Sequence, residues 1–102
     1  KRGLCQHCHL FFSTLSNPTR LAIVETLRDG PKNVTQISNA LRQNQSMISH
    51  NLRPLVRCRF ILVEKRWREH VYSLNGETIE LLFKIIKNHV NTHCLRKEKC
   101  IQ

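Results

Sequence analysis

The chain has 102 residues, of which 40% are hydrophobic, enough for one domain that buries only roughly two-thirds of its unfolded surface. Lys and Arg number 17 against 7 Asp and Glu, a formal charge of +10, so an anionic partner is expected and nucleic acid leads that class. No apolar run approaches the roughly 18 residues needed to cross a bilayer, and no stretch reads as a signal peptide, so a membrane is set aside and a cytoplasmic location is expected. The sequence begins at Lys1 rather than Met, and further residues upstream are expected.

In chain order, residues 4–15 carry Leu4, Leu10, Phe11, Phe12 and Leu15, a short helix with one apolar side. Asn17-Pro18 restarts the chain, with Asn as cap and Pro at the first helical position, where its missing N–H costs nothing. That helix places Leu21, Ile23, Val24 and Leu27 inward until Asp29-Gly30-Pro31 stops it. Asn33-Val34-Thr35-Gln36 has the pattern of a capping box and opens a helix with Val34, Ile37, Ala40 and Leu41 inward.

About three residues later Asn44 caps another helix, in which Ile48, Leu52 and Leu55 bury one face and Gln45, Ser46, Ser49, His50 and Arg53 point outward. Two short helices joined by a tight turn form a helix-turn-helix, here about residues 33–57. Gln and Arg make bidentate contacts to adenine and guanine in the major groove, and Ser and His reach a base or a phosphate. The competing reading of that face is an ordinary solvated helix surface. The basic excess is concentrated here: residues 31–72 hold Lys32, Arg42, Arg53, Arg57, Arg59, Lys65, Arg66 and Arg68 against Glu64 and Glu69.

After Cys58 the hydrophobic period changes to that of strands, with Ile61, Val63, Val71 and Leu74 alternating with Glu64, Lys65, Glu69 and Ser73 around a turn at Arg66-Trp67-Arg68. A basic hairpin at about 61–74, directly after a helix-turn-helix, is a wing that can reach the phosphate backbone or the minor groove. From Asn75-Gly76 a last helix, about 76–94, carries Ile79, Leu82, Phe83, Ile86 and Val90, with Leu81 and Ile85 widening the stripe. That exceeds what one small core needs, so a homodimer through the first and last helices, about 4–15 and 76–94, is expected. The basic tail at 95–102 is expected to fray. The fold expected over 1–102 is therefore a single winged helix-turn-helix domain, mainly α with a small β-hairpin.

The order of elements and three motifs give the chain a resemblance to the ArsR/SmtB family of winged-helix repressors over about residues 10–93. The motifs are Leu15-Ser16-Asn17-Pro18-Thr19-Arg20-Leu21, then Gln45-Ser46-Met47-Ile48-Ser49-His50-Asn51-Leu52, then Arg66-Trp67 with Val71-Tyr72-Ser73-Leu74. The resemblance implies a homodimer on a palindromic operator, recognition helices about one DNA turn apart, and release by an inducer. It implies base reading by Gln45, Ser46, Ser49 and His50, and wing contacts from Lys65, Arg66 and Arg68. Thr35, Gln36 and Arg53 complete the expected DNA-contacting set.

The chain also departs from the family pattern. The family's Cys-x-Cys metal motif would fall near Asn33, Val34 and Thr35, where no thiol stands. A second family metal site would fall at Gly76, Thr78, His89 and Thr92, of which only His89 is a ligand type. The usual Gly of the turn before the recognition helix is Arg42, and Pro54 lies inside that helix, where it is expected to kink or end it.

Five cysteines in an intracellular basic domain argue against a disulfide scaffold and for metal binding or redox switching. In Cys5-Gln6-His7-Cys8-His9 the Cys-x-x-Cys unit closes around a tetrahedral ion or into a disulfide. Followed by His it is also the c-type haem pattern, but that chemistry needs export, a second axial ligand and a cavity, none of which the sequence suggests. His89 and His93 lie one helical turn apart, followed by Cys94 and Cys100. If the first and last helices meet, Cys5, Cys8, His9, His89, His93, Cys94 and Cys100 form a soft site suited to zinc or a thiophilic metalloid such as arsenite. A redox disulfide switch and plain surface residues are the alternatives, and Cys58 reads as a small buried hydrophobe.

No phosphate loop, paired carboxylates or nucleophile constellation is present, so an enzyme is not expected. The leading function is a sequence-specific transcriptional repressor, released by a metal, a metalloid or thiol oxidation. The alternative is a non-specific architectural DNA protein, which the charge favours and the uncharged recognition face does not.

Overall fold

A computed structural model describes residues 2–93, with side chains from Gln6 onward. The elements are α1 (Arg2–Leu15), α2 (Pro18–Leu27), α3 (Val34–Leu41), α4 (Gln45–Arg57), β1 (Ile61–Arg66), β2 (Glu69–Leu74) and α5 (Gly76–His93). The Cys5 side chain, Cys94, Cys100 and the tail expected to fray lie outside the described residues. The architecture of the described residues is the one expected, five helices with a single antiparallel hairpin.

The helix starts form where the sequence provides caps. The Asn17 side chain accepts from the Arg20 N–H at 3.1 Å with Pro18 in the first position of α2. At α3, Asn33 accepts from the Gln36 N–H at 2.8 Å while its own N–H donates to Gln36 Oε1 at 2.9 Å, a complete capping box. Asn44 accepts from the Met47 N–H at 2.8 Å and starts α4.

Two helix ends use arginine where glycine is usual. After α3, Arg42 stands at φ 57° and Gln43 N–H reaches back to Ser38 O at 3.2 Å. After α4, Arg59 stands at φ 65° while its N–H bonds Val56 O and that of Phe60 bonds Leu55 O, both at 3.0 Å. Both are Schellman-type ends with an L-residue in the left-handed position, which glycine occupies without strain.

The core is built on α2, α3 and α4: Ile23, Val24, Leu27, Ile37, Ile48, Leu52 and Leu55, closed by Leu15, Phe60, Ile61 and Ile79. Burying a side chain of this size contributes about 2 kcal/mol. Ile48, Leu52 and Leu55 together therefore outweigh the roughly 3 kcal/mol cost of an interior proline. This explains why α4 runs on through Pro54 to Arg57 instead of ending there.

Several inward assignments are corrected. Ala40 and Leu21 are exposed, and in α3 the buried neighbour of Ile37 is Ser38, whose hydroxyl donates to Gln43 O. A short helix crossing its neighbour shows them only a narrow strip, and these positions fall outside it. Strand alternation fails in β1: Leu62 and Val63 are both exposed, because only Ile61 reaches the core and the hairpin projects beyond it. Arg66 pairs with Glu69, so the turn is the two residues Trp67 and Arg68, not three.

α1 is apolar on more than one side, with Phe11 and Leu15 packed inward, Phe11 edge-on to Phe60 at 4.8 Å, and Leu10 and Phe12 exposed. In α5, Ile79 is buried and Leu82, Phe83 and Val90 are half-buried, whereas Leu81, Ile85 and Ile86 are exposed at 62%, 65% and 47%. Arg28 ties α5 to α2 through Glu80, at 3.4 Å, and lies over the Phe83 ring, 5.0 Å from its centre. No helix among the described residues is long and apolar enough to cross a membrane.

Candidate nucleic-acid interface

α4 turns Gln45, Ser46, Ser49, His50 and Arg53 to solvent, as its apolar spacing predicts. It is fixed from behind by a polar clamp. Asn51, 5% exposed, donates from Nδ2 to Met47 O at 3.0 Å and accepts at Oδ1 from Arg20 Nε at 3.1 Å. Arg20 Nη1 donates to Thr14 O, also at 3.1 Å, so one guanidinium holds the end of α1, the start of α2 and the middle of α4. No buried side-chain polar atom among the described residues is left without a partner.

The two helices of the helix-turn-helix are also joined on their outer side, where Gln45 Nε2 donates to Thr35 Oγ1 at 3.2 Å. That bond fixes the Gln45 amide group against α3 through its nitrogen. Gln36 Oε1 serves the α3 cap, as the capping-box pattern predicts, and its amide nitrogen remains for an outside partner.

The hairpin is anchored at the middle of β2 by a two-bond bridge, Lys32 N–H to Tyr72 O at 3.0 Å and Tyr72 N–H to Lys32 O at 2.8 Å. Asn33 Nδ2 adds a bond to Glu69 Oε1 at 2.9 Å, so the wing is fastened to the segment that opens α3. Lys65, Arg66 and Arg68 are all exposed. Arg66 spends part of its charge on Glu64 at 3.2 Å, whereas among the described residues Lys65 and Arg68 make no ion pair. The result is a polar helix face with Arg53 as its one arginine and a basic arm beside it, which matches the division of labour between base contacts that specify and phosphate contacts that position.

The cysteine and histidine positions come together less completely. The His89 and His93 rings lie 5.2 Å apart on one side of α5. Cys8 and His9 line a shallow open depression on α1 with Phe12, Ser13 and Ser16. Among the described residues no three His, Cys, Asp or Glu side chains gather as a metal site. Cys58 is half-buried against the core, its Sγ 3.4 Å from Thr14 Oγ1, close to the hydrophobe expected.

The clamp residues Arg20 and Asn51 were not among the expected site residues. The signal for Asn51 was present: a lone amide three residues after Ile48 and one before Leu52, on the buried side of α4.

Comparison with known proteins agrees with this geometry. The profile of the family described as "Bacterial regulatory protein, arsR family" matches residues 17–63, from the α2 cap to β1. The HTH-type transcriptional regulator NmtR of Mycobacterium tuberculosis is 35% identical over 80 residues, which cover 78% of this chain and 67% of that protein. A transcriptional repressor SmtB homolog of Synechocystis sp. is 29% identical over 80 residues, covering 78% of this chain and 61% of its own length. The chain thus spans about two thirds of the length of these curated relatives.

Among solved structures, the homodimeric winged helix-turn-helix DNA-binding domain of a possible ArsR-family regulator from Mycobacterium bovis superposes with TM-score 0.81 at 25% identity. It covers 91% of this chain and 86% of its own. The solution structure of apo-NmtR superposes with TM-score 0.73 at 30% identity, covering 91% and 79%. With the caps of α2, α3 and α4, the polar face of α4 and the anchored wing all in place, the chain belongs to the ArsR family of winged helix-turn-helix transcriptional regulators.

Proposed function

We propose that this chain is a homodimeric repressor that reads a palindromic operator with α4 and steadies it with the wing. The observation that carries the reading is the face of α4, where Gln45, Ser46, Ser49, His50 and Arg53 are exposed together on a helix clamped from behind by Arg20 and Asn51. Such a face carries hydrogen-bonding side chains in place of a plain cationic stripe, which suits base edges in the major groove. Thr35 and Gln36 stand at the start of α3, where the positive end of the helix dipole and the Thr35 hydroxyl suit a phosphate. Lys65, Arg66 and Arg68 take the backbone beside the site. The role is binding rather than catalysis, and its place is the cytoplasm, with the DNA.

The dimer is supported by the exposed apolar side chains of α1 and α5, Leu10, Phe12, Leu81, Ile85 and Ile86, and by the homodimeric state of the M. bovis domain. A two-fold axis through these helices would set two α4 helices on successive turns of one DNA face, roughly 34 Å apart. Selection of duplexes from a random pool tests this. A two-fold symmetric consensus with half-sites about one turn apart is the expected product, and recovery of unrelated duplexes would overturn it in favour of architectural, sequence-blind binding.

Release is assigned to the cysteine and histidine groups, Cys5, Cys8 and His9 on α1, with His89, His93, Cys94 and Cys100 at the end of α5 and beyond. The paired His89 and His93 rings and the exposed Cys8 support this, and zinc or a thiophilic metalloid suits such soft ligands. Native mass spectra of protein purified with and without oxygen separate the possibilities. Chelator-removable metal mass on the dimer supports a metal site, and loss of two hydrogens per bridge only in air supports a disulfide switch. An unmodified dimer in both would overturn the assignment.

A further inference from the structure

Trp67 is the only tryptophan of the chain and, at 79% exposed, the most open large hydrophobic side chain among the described residues. It stands at the tip of the wing with φ 62°. Since Arg66 pairs with Glu69, Trp67 and Arg68 are the two central residues of the hairpin turn, and only the first has positive φ. That is the position a type II′ turn gives to glycine, so an L side chain here strains the turn without helping the hairpin. The indole does not serve the core either, having beside it only an open depression lined by its neighbours Arg68 and Glu69.

The electrostatic setting points to what covers it. Both wing carboxylates are engaged, Glu64 with Arg66 and Glu69 with Asn33, while Lys65 and Arg68 make no ion pair among the described residues. A flat apolar ring is thus held in a cationic surround at the end of an arm whose second strand is bonded at Tyr72 and Glu69 to the segment opening α3. A strained residue that neither packs nor favours its turn is a candidate for function.

We propose that Trp67 is a minor-groove contact. When α4 occupies the major groove, the indole buries itself between the sugar walls of the adjacent minor groove, with Lys65 and Arg68 on the flanking phosphates. Apolar side chains are used as minor-groove wedges in this way, and groove width then adds a sequence preference outside the bases that α4 reads. The inference rests on the DNA-binding reading above and extends it to a residue that bears no charge.

The test uses the intact protein and a fluorescein-labelled duplex of roughly two helical turns plus flanks, selected by that protein from a random pool. Anisotropy of the label reports binding, and selectively excited indole emission reports Trp67 alone, because no other tryptophan is present. At saturation the emission shifts to the blue and acrylamide quenching falls severalfold. Trp67→Gly, which relieves the turn, keeps or raises the thermal midpoint yet weakens binding about tenfold, with the salt slope unchanged because burying an indole releases no counterion.

Unaltered quenching at saturating duplex, a shielded indole in the protein without DNA, or full affinity in Trp67→Gly would each overturn the proposal while leaving the DNA-binding reading intact. No anisotropy change with any selected duplex would overturn both.

Discussion

Arg20 and Asn51, 31 residues apart, are bonded side chain to side chain, the Arg20 Nε donating to Asn51 Oδ1 at 3.1 Å. The same guanidinium bonds Thr14 O, and the Asn51 amide bonds Met47 O one turn back, so the recognition helix is aimed by a closed polar network. Removing one partner strands the other in a partly dry site, which costs about 1–3 kcal/mol. Asn51→Leu and Arg20→Ala are each expected to lose that much in urea unfolding, and the double variant less than their sum. Strict additivity would show that the two side chains do not act together.

Arg42 and Arg59 close α3 and α4 at φ 57° and 65°. Glycine there avoids the strain of an L-residue, so Arg42→Gly and Arg59→Gly are each expected to stabilise the fold by about 1 kcal/mol, read as a higher thermal midpoint. A drop in both would mean that the arginine side chains contribute more than the backbone strain removes.

Pro54 leaves the carbonyl of His50 without its helical N–H partner. Pro54→Ala restores that donor, and a gain of about 1–3 kcal/mol is expected in chemical unfolding. A loss would indicate that the proline ring packs better than the bond it forgoes.

The fold was legible where local chemistry decides it. Asn17, Asn33 and Asn44 cap the helices they were expected to cap, because a side-chain oxygen three residues ahead of an N–H needs no tertiary help. Periodicity located Ile48, Leu52 and Leu55 for the same reason. It failed for Ala40, Leu21 and Val63, whose burial depends on the angles at which elements cross and on how far the hairpin projects.

Of the candidate site, the exposed face of α4 and the basic wing followed from spacing and charge. What did not follow were the bonds that commit side chains to neighbours on the surface, Gln45 to Thr35 and Arg66 to Glu64. A polar residue in sequence does not disclose whether its donors are already spent. Trp67 was legible only as part of a turn, since its positive φ depends on the register that pairs Arg66 with Glu69.

The outer face of α5 gives a separate prediction. Leu81 and Ile85 are 62% and 65% exposed in the single chain, so charging them should hardly disturb its core. The double variant Leu81→Glu with Ile85→Glu is expected to sediment as a folded monomer and to lose affinity for a two-half-site duplex while keeping its helical circular dichroism. A variant that remains dimeric would move the interface elsewhere.

Whether α4 reads sequence while the wing supplies charge is decided by comparing Gln45→Ala and Arg68→Ala on a selected operator duplex and on random duplex across a salt series. Gln45→Ala is expected to cost about 1–3 kcal/mol on the operator alone, with its salt slope unchanged. Arg68→Ala is expected to weaken both duplexes alike and to lower the slope by about one counterion. Equal losses on operator and random DNA from Gln45→Ala would mean that α4 does not read sequence through Gln45.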